Sequence, residues 1–165
     1  MSNLPPAVVV LGSRHSLTRS DPEVQFVGTL SIELLRKTAL GIRLGVDGVI
    51  NEVVTESTKE VISSNESQND IIQRILMTEE MMTESAHAHF KSRSAHCVSL
   101  IENAKAAFFL PGDIPTLNIL FALVCEIQTR RRARIPLFLI GEKFWQPILS
   151  VSVFSLVFDM VNASS

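Results

Sequence analysis

Short apolar runs that stop at glycine or proline are the feature that most restricts how this chain can fold. Ala7–Leu11 ends at Gly12, residues 42–44 end at Gly45, residues 106–110 end at Pro111-Gly112, and residues 136–140 end at Gly141. Each run is too short for a helix, and the valines of the first suit a buried strand. The segments that follow repeat apolar residues three or four apart. After a polar loop over residues 14–20, Asp21-Pro22 supplies an N-cap and a first helical residue. Val24, Val27, Leu30, Leu34 and Leu35 then keep a helical spacing as far as Leu40, where Gly41 stops it. A second helix is expected from Val49, with Ile50, Val53 and Val54 on one face. Another is expected over residues 116–130, and a last one begins near Glu142 with Trp145, although Val151 and Val153 also fit a strand. Strands alternating with helices through short loops predict one α/β domain over residues 1–165, with a parallel sheet covered by helices on both faces. Ligands of such sheets sit beyond the strand C-terminal ends, which selects the loops at residues 12–20, 45–48 and 111–116.

Composition narrows the function classes. The chain has 165 residues, 46% of them hydrophobic and 19% charged, with a net charge of -2. A domain of that length buries roughly 68–70% of its unfolded surface, enough for a core without disulfide or structural metal. The charged share is below the usual ~25%, which argues against disorder and leaves apolar surface for a partner to cover. With 17 acidic and 15 basic residues the chain lacks the basic face of a nucleic-acid binder. Cys97 and Cys125 stand among apolar neighbours without C-x-x-C spacing, which fits buried thiols and a reducing, cytoplasmic setting. The first residues carry no secretory pattern. The longest apolar stretch, near residues 148–158, falls short of the ~18 residues that span a bilayer, so no membrane association is expected.

Between the second helix and the third strand the character changes. Residues 52–84 hold eight acidic residues against Lys59 and Arg74, and an Asn/Ser-rich loop at residues 63–69 precedes an amphipathic helix with Ile71, Ile72, Ile75 and Leu76. A helix over residues 88–103 is expected to turn Phe90, Val98, Leu100 and Ile101 inward. His89 and His96 share a helical face but His87 points away, and no carboxylate completes an H-E-x-x-H pattern, so no metal is expected beside Cys97. Arg130-Arg131-Arg132 and Arg134 read as a solvated helix cap, where cations complement the macrodipole. From Leu117 to Ile127 only Asn118 and Glu126 are polar. A helix apolar nearly all round leaves a large exposed patch in a monomer, so a homodimer through residues 116–130 is expected.

His89-Phe90-Lys91-Ser92-Arg93-Ser94, the strand at residues 106–110, Pro111-Gly112-Asp113-Ile114-Pro115-Thr116-Leu117-Asn118-Ile119, Ile127-Gln128-Thr129 and residues 136–145 follow one another in a recognisable order. They resemble the H-F-x-x-R-K, P-G-G-x-G-T-x-x-E, I-Q-T and P-[IVL]-x-L-x-G-x-x-[YF]-W motifs of the LOG, or lysine decarboxylase-like, family. Leu44-Gly45-Val46-Asp47-Gly48-Val49-Ile50-Asn51 is similar, more loosely, to its G-G-G-x-G-x-M-E turn. The resemblance implies a Rossmann-like, doubly wound parallel sheet, a homodimer with sites beside its interface, and cleavage of a nucleoside 5′-monophosphate to free base and ribose 5-phosphate. The phosphate- or nucleotide-binding residues it implies are Gly12, Ser13, Gly45, Gly48, Gly112 and Thr116. No cofactor is expected.

The departures from the family pattern fall on its chemistry. Cleavage through an oxocarbenium-like state needs a carboxylate near the N-glycosidic bond, and the family's glutamate position holds Ile119. Asp113 and Pro115 replace two loop glycines, one adding negative charge and the other removing an N–H where a phosphate would sit. Asn51 takes the place of the other glutamate, with Glu52 about 100° further round the helix, and Ser94 replaces the lysine beside Arg93. Arg93, Asp113 and Glu52 remain as catalytic candidates, the arginine to hold phosphate or ribose and either acid to stand in for the missing carboxylate. Three readings stay open: an impaired LOG-like module that binds nucleotide or protein, an active phosphoribohydrolase with a relocated carboxylate, and a structural subunit of a hetero-oligomer.

Overall fold

The computed structural model describes residues 5–13, 17–44, 48–63 and 101–150. They form β1 (Ala7–Leu11), α1 (Pro22–Lys37), β2 (Gly41–Leu44), α2 (Val49–Ser63), β3 (Ala104–Phe109), α3 (Ile114–Gln128), β4 (Leu137–Leu139) and α4 (Glu142–Leu149). The four strands make one parallel sheet in the order β2-β1-β3-β4, as the alternating pattern predicts. From β1 the chain steps first to β2 and later to β3 on the other side, so the order reverses between β1 and β3.

Strand alternation divides the core into two. Val8, Val10, Ile42, Leu44 and Phe108 cluster with Val24, Val27 and Leu35 of α1 and Ile50, Val53 and Val54 of α2. Val9, Leu11, Ala107 and Phe109 cluster with Ile119, Leu120, Leu123, Val124 and Ile127 of α3 and Trp145 of α4. Successive side chains of a strand point to opposite faces, so a strand apolar throughout, as β1 is, requires cover on both sides. The helices supply it, and the sheet is doubly wound.

Several boundaries differ from the expected ones for local reasons. α1 stops at Lys37 rather than Leu40, because Thr38 turns into extended backbone and its Oγ1 donates back to the Leu34 carbonyl at 2.7 Å. Gly41 therefore opens β2 instead of ending the helix. Asp21 holds the N-cap position of α1, yet its carboxylate accepts from the Thr18 N–H at 2.7 Å and ties down the preceding loop. α3 begins at Ile114, two residues before Thr116, since Asp113 caps it and Pro115 fits a first turn that has no intrahelical acceptor for its N–H. Among the described residues no helix is long and apolar enough to cross a membrane.

α3 is less bare than its composition suggests. Thr116, Ile119, Leu120, Leu123, Val124 and Ile127 are buried against the sheet, whereas Ile114, Asn118 and Cys125 are exposed. The expectation of a buried Cys125 thiol is thus corrected: the residue lies on the solvent side of α3. The helix ends in a Schellman turn, with the Arg130 N–H donating to Ile127 O at 3.1 Å and the Arg131 N–H to Glu126 O at 2.9 Å. Arg130 adopts φ 57 there. Glycine is the usual residue at that left-handed position, and a side chain costs about 1 kcal/mol. On β2, the guanidinium of buried Arg43 donates to Glu102 O at 2.6 Å and Pro5 O at 3.2 Å. Burial lowers its affinity for the proton, Glu102 opposes that effect, and nearby Arg132 adds to it.

The two helices expected within residues 71–103, up to the turn at Ile101, lie outside the described residues, as do His87, His89, His96, Cys97, Arg93, Gly45 and the Val151/Val153 segment.

Candidate functional site

The reversal of strand order sets the C-terminal ends of β1 and β3 side by side. Pairing continues past the strands, with the Leu110 N–H on Leu11 O at 2.8 Å and the Ser13 N–H on Pro111 O at 3.0 Å. Gly12, Ser13, Gly112, Asp113 and Thr116 are brought together here, where an open α/β sheet holds its ligand. Ser13 and Thr116 are both buried.

The glycines of this crevice serve packing within the chain. A Cβ on Gly12 would stand 2.7 Å from Ile50 Cδ1 and 3.0 Å from Leu110 Cβ, so the missing side chain lets the first turn of α2 reach the sheet. A Cβ on Gly112 would overlap the side chain of Thr116. In both cases the glycine makes room for the protein's own side chains.

Asp113 decides the electrostatics of the crevice. Its carboxylate accepts from the Thr116 N–H at 3.4 Å and from Thr116 Oγ1 at 3.2 Å, and its carbonyl accepts from the Leu117 N–H at 3.1 Å. Pro115 has no N–H to give. The cap and the proline thus reduce the set of first-turn donors that makes a helix N-terminus an anion site. The positive end of α3 is already matched to a negative charge belonging to the chain. Replacing Asp113 with alanine is therefore expected to cost about 1 kcal/mol of stability while uncovering the Thr116 N–H for an anion. Thermal melts with and without inorganic phosphate check both parts. The variant should melt lower and regain part of the loss with phosphate, whereas the parent should not respond.

The remaining candidates are separated from this cap. Ile119, the position that the resemblance aligns with a glutamate, belongs to the core cluster under the sheet and is buried. Glu52 is on the exposed side of α2, where Arg19 Nη2 meets its Oε2 at 3.1 Å and Arg19 Nη1 meets Glu56 Oε2 at 2.7 Å. The two carboxylates raise the proton affinity of the Arg19 guanidinium, its hydrogen bonding to Glu52 being the largest contribution. These three residues, with Gly48, Asn51, Thr55 and Lys59, line an open depression of about 510 Å³. Gly48, at φ 138, starts α2 by offering its carbonyl to the Glu52 N–H at 3.3 Å. Each candidate acid has its own partner: Glu52 is engaged by Arg19 and Asp113 by Thr116.

Arg19 and Glu56 were not among the residues singled out in the sequence. Glu52 and Glu56 are four apart and share a helix face, a legible signal for an acidic pair. Their arginine comes from 33 residues away and has no local signature. Neither a family model nor a curated protein matches this sequence.

Proposed function

We propose that this chain is a divergent LOG-like protein that no longer hydrolyses nucleotides and works as an interaction module built on the retained sheet. The observation that carries the reading is Asp113. A carboxylate bonded to Thr116 where a phosphate would be received makes the crevice hostile to a nucleoside monophosphate. Ile119 supports it, because an alkyl side chain packed with Leu11, Phe109 and Leu123 can neither accept a proton nor oppose an oxocarbenium charge. Glu52 offers no clear replacement, since its charge is engaged by Arg19.

The test is direct. Purified protein incubated with the common nucleoside 5′-monophosphates should release no free base or ribose 5-phosphate above a buffer blank. Release that disappears in Glu52→Gln or Asp113→Asn would establish the competing reading of a phosphoribohydrolase with a relocated carboxylate. Assembly as a homodimer through α3 belongs to the same proposal, supported by Ile114, which is 76% exposed at the start of the helix. Light scattering should give twice the chain mass, falling to the chain mass in Ile114→Asp.

A further inference from the structure

We propose that the loop after α3 is a docking surface for a short, carboxylate-rich segment of another protein. Arg130, Arg131, Arg132 and Arg134 divide into two roles. Arg132 is structural: its Nε bonds Glu126 Oε2 at 2.9 Å and its Nη1 bonds Ile101 O at 2.7 Å, which fastens the loop to the turn before β3. Arg130, Arg131 and Arg134 are exposed and enter no described ion pair. Lys105 adds to them. The pairing of β3 with β1 slips by one residue between Ala7 and Val8, leaving Lys105 as the extra, exposed residue. Extending the β3–β4 register back from Ala107 and Leu137 sets Lys105 level with Ile135, next to Arg134.

The arginines lie past the last turn of α3, which itself contains no basic residue, and Arg130 and Arg131 close its Schellman turn through backbone N–H groups, so their side chains are not consumed by the cap. At Arg130 the side chain is kept at φ 57, where glycine would make the same turn with less strain. Among the described residues, the nearby acids have other partners. Glu126 is bonded to Arg132, and Glu102 faces the buried Arg43. A chain of net charge -2 thus concentrates exposed positive charge at one end of its sheet, opposite the crevice, because α3 runs back from one end to the other. The surface is independent of whether that crevice binds anything.

The cluster fits carboxylates better than nucleic acid. Guanidinium forks bind carboxylates through paired hydrogen bonds. A nucleic-acid surface needs more cations and stacking aromatics, and no aromatic residue occurs between Phe121 and Phe138.

Fluorescence anisotropy on the full chain tests the proposal, with a short labelled peptide of alternating aspartate and glutamate, a single-stranded oligonucleotide of equal charge and vesicles containing phosphatidylserine as probes. The peptide is expected to bind most tightly, more weakly with added salt, and about tenfold more weakly to Arg131→Ser/Arg134→Ser at an unchanged melting temperature. Arg130→Gly should melt higher than the parent and yet bind the peptide less well, which a purely structural arginine would not do. Equal peptide affinity for parent and double variant, or tighter binding of the oligonucleotide or vesicles, overturns the proposal.

Discussion

Ile119→Glu, the substitution that introduces the glutamate of the LOG motif, should destabilise the protein by on the order of 3 kcal/mol and confer no hydrolysis. Ile119 is 8% exposed and packs with Leu11, Phe109, Leu123 and Trp145 in one cluster. A carboxylate in that position loses its water and finds no cation among the cluster's apolar side chains. It therefore favours its neutral form, with a pKa in the folded state above the ~4.3 of an exposed glutamate. The native variant then binds more protons than the unfolded chain, so its stability falls as pH rises past that value. Urea titrations at pH 4 and pH 7 should show the larger deficit at pH 7. A variant as stable as the parent, or one that releases ribose 5-phosphate, would show that position 119 opens on the crevice and would sink the non-enzymatic reading.

Trp145→Ala is expected to cost about 3–5 kcal/mol, the range for removing a large buried aromatic. Trp145 is 1% exposed and stands edge-on to Phe109 with ring centroids 6.5 Å apart. Its Nε1–H is shared between Phe109 O at 3.2 Å and Ile140 O at 3.0 Å, so one side chain closes the core under β3 and fixes the backbone after β4. Trp145→Phe keeps most of the volume but removes the donor, and should cost about 1–2 kcal/mol. Circular dichroism in denaturant measures both, since Trp145 is the single tryptophan and its fluorescence is lost with it. A cost for the alanine variant no larger than that for phenylalanine would mean that α4 is held elsewhere.

Much of the architecture was legible residue by residue. β1 has the bounds its valine run predicts, and Ile50, Val53 and Val54 bury the face of α2 that their spacing marks. The differences fell where a side chain could choose between local partners. Asp21 is the N-cap of α1 as expected, but its carboxylate holds Thr18 instead of the helix. Thr38 could continue α1 or fold back on Leu34, and it folds back. Cys125 looked buried because its neighbours are apolar, but helical periodicity turns it away from a sheet already filled by Leu123, Val124 and Ile127.

The sequence by itself determined the parallel α/β sheet and the apolar residue at position 119, because strand and helix periods and residue identity are local properties; the strand order, and with it the switch point, came only from the fold. Only the tertiary structure decided what the remaining polar groups do. Arg19 meets Glu52 and Glu56, Arg43 meets the carbonyls of Glu102 and Pro5, and Arg132 alone of its run is fastened to Ile101. Those partners are 31 to 59 residues apart. A charge's role depends on which partner the folded backbone carries within hydrogen-bond reach, and sequence spacing holds no record of that at such separations.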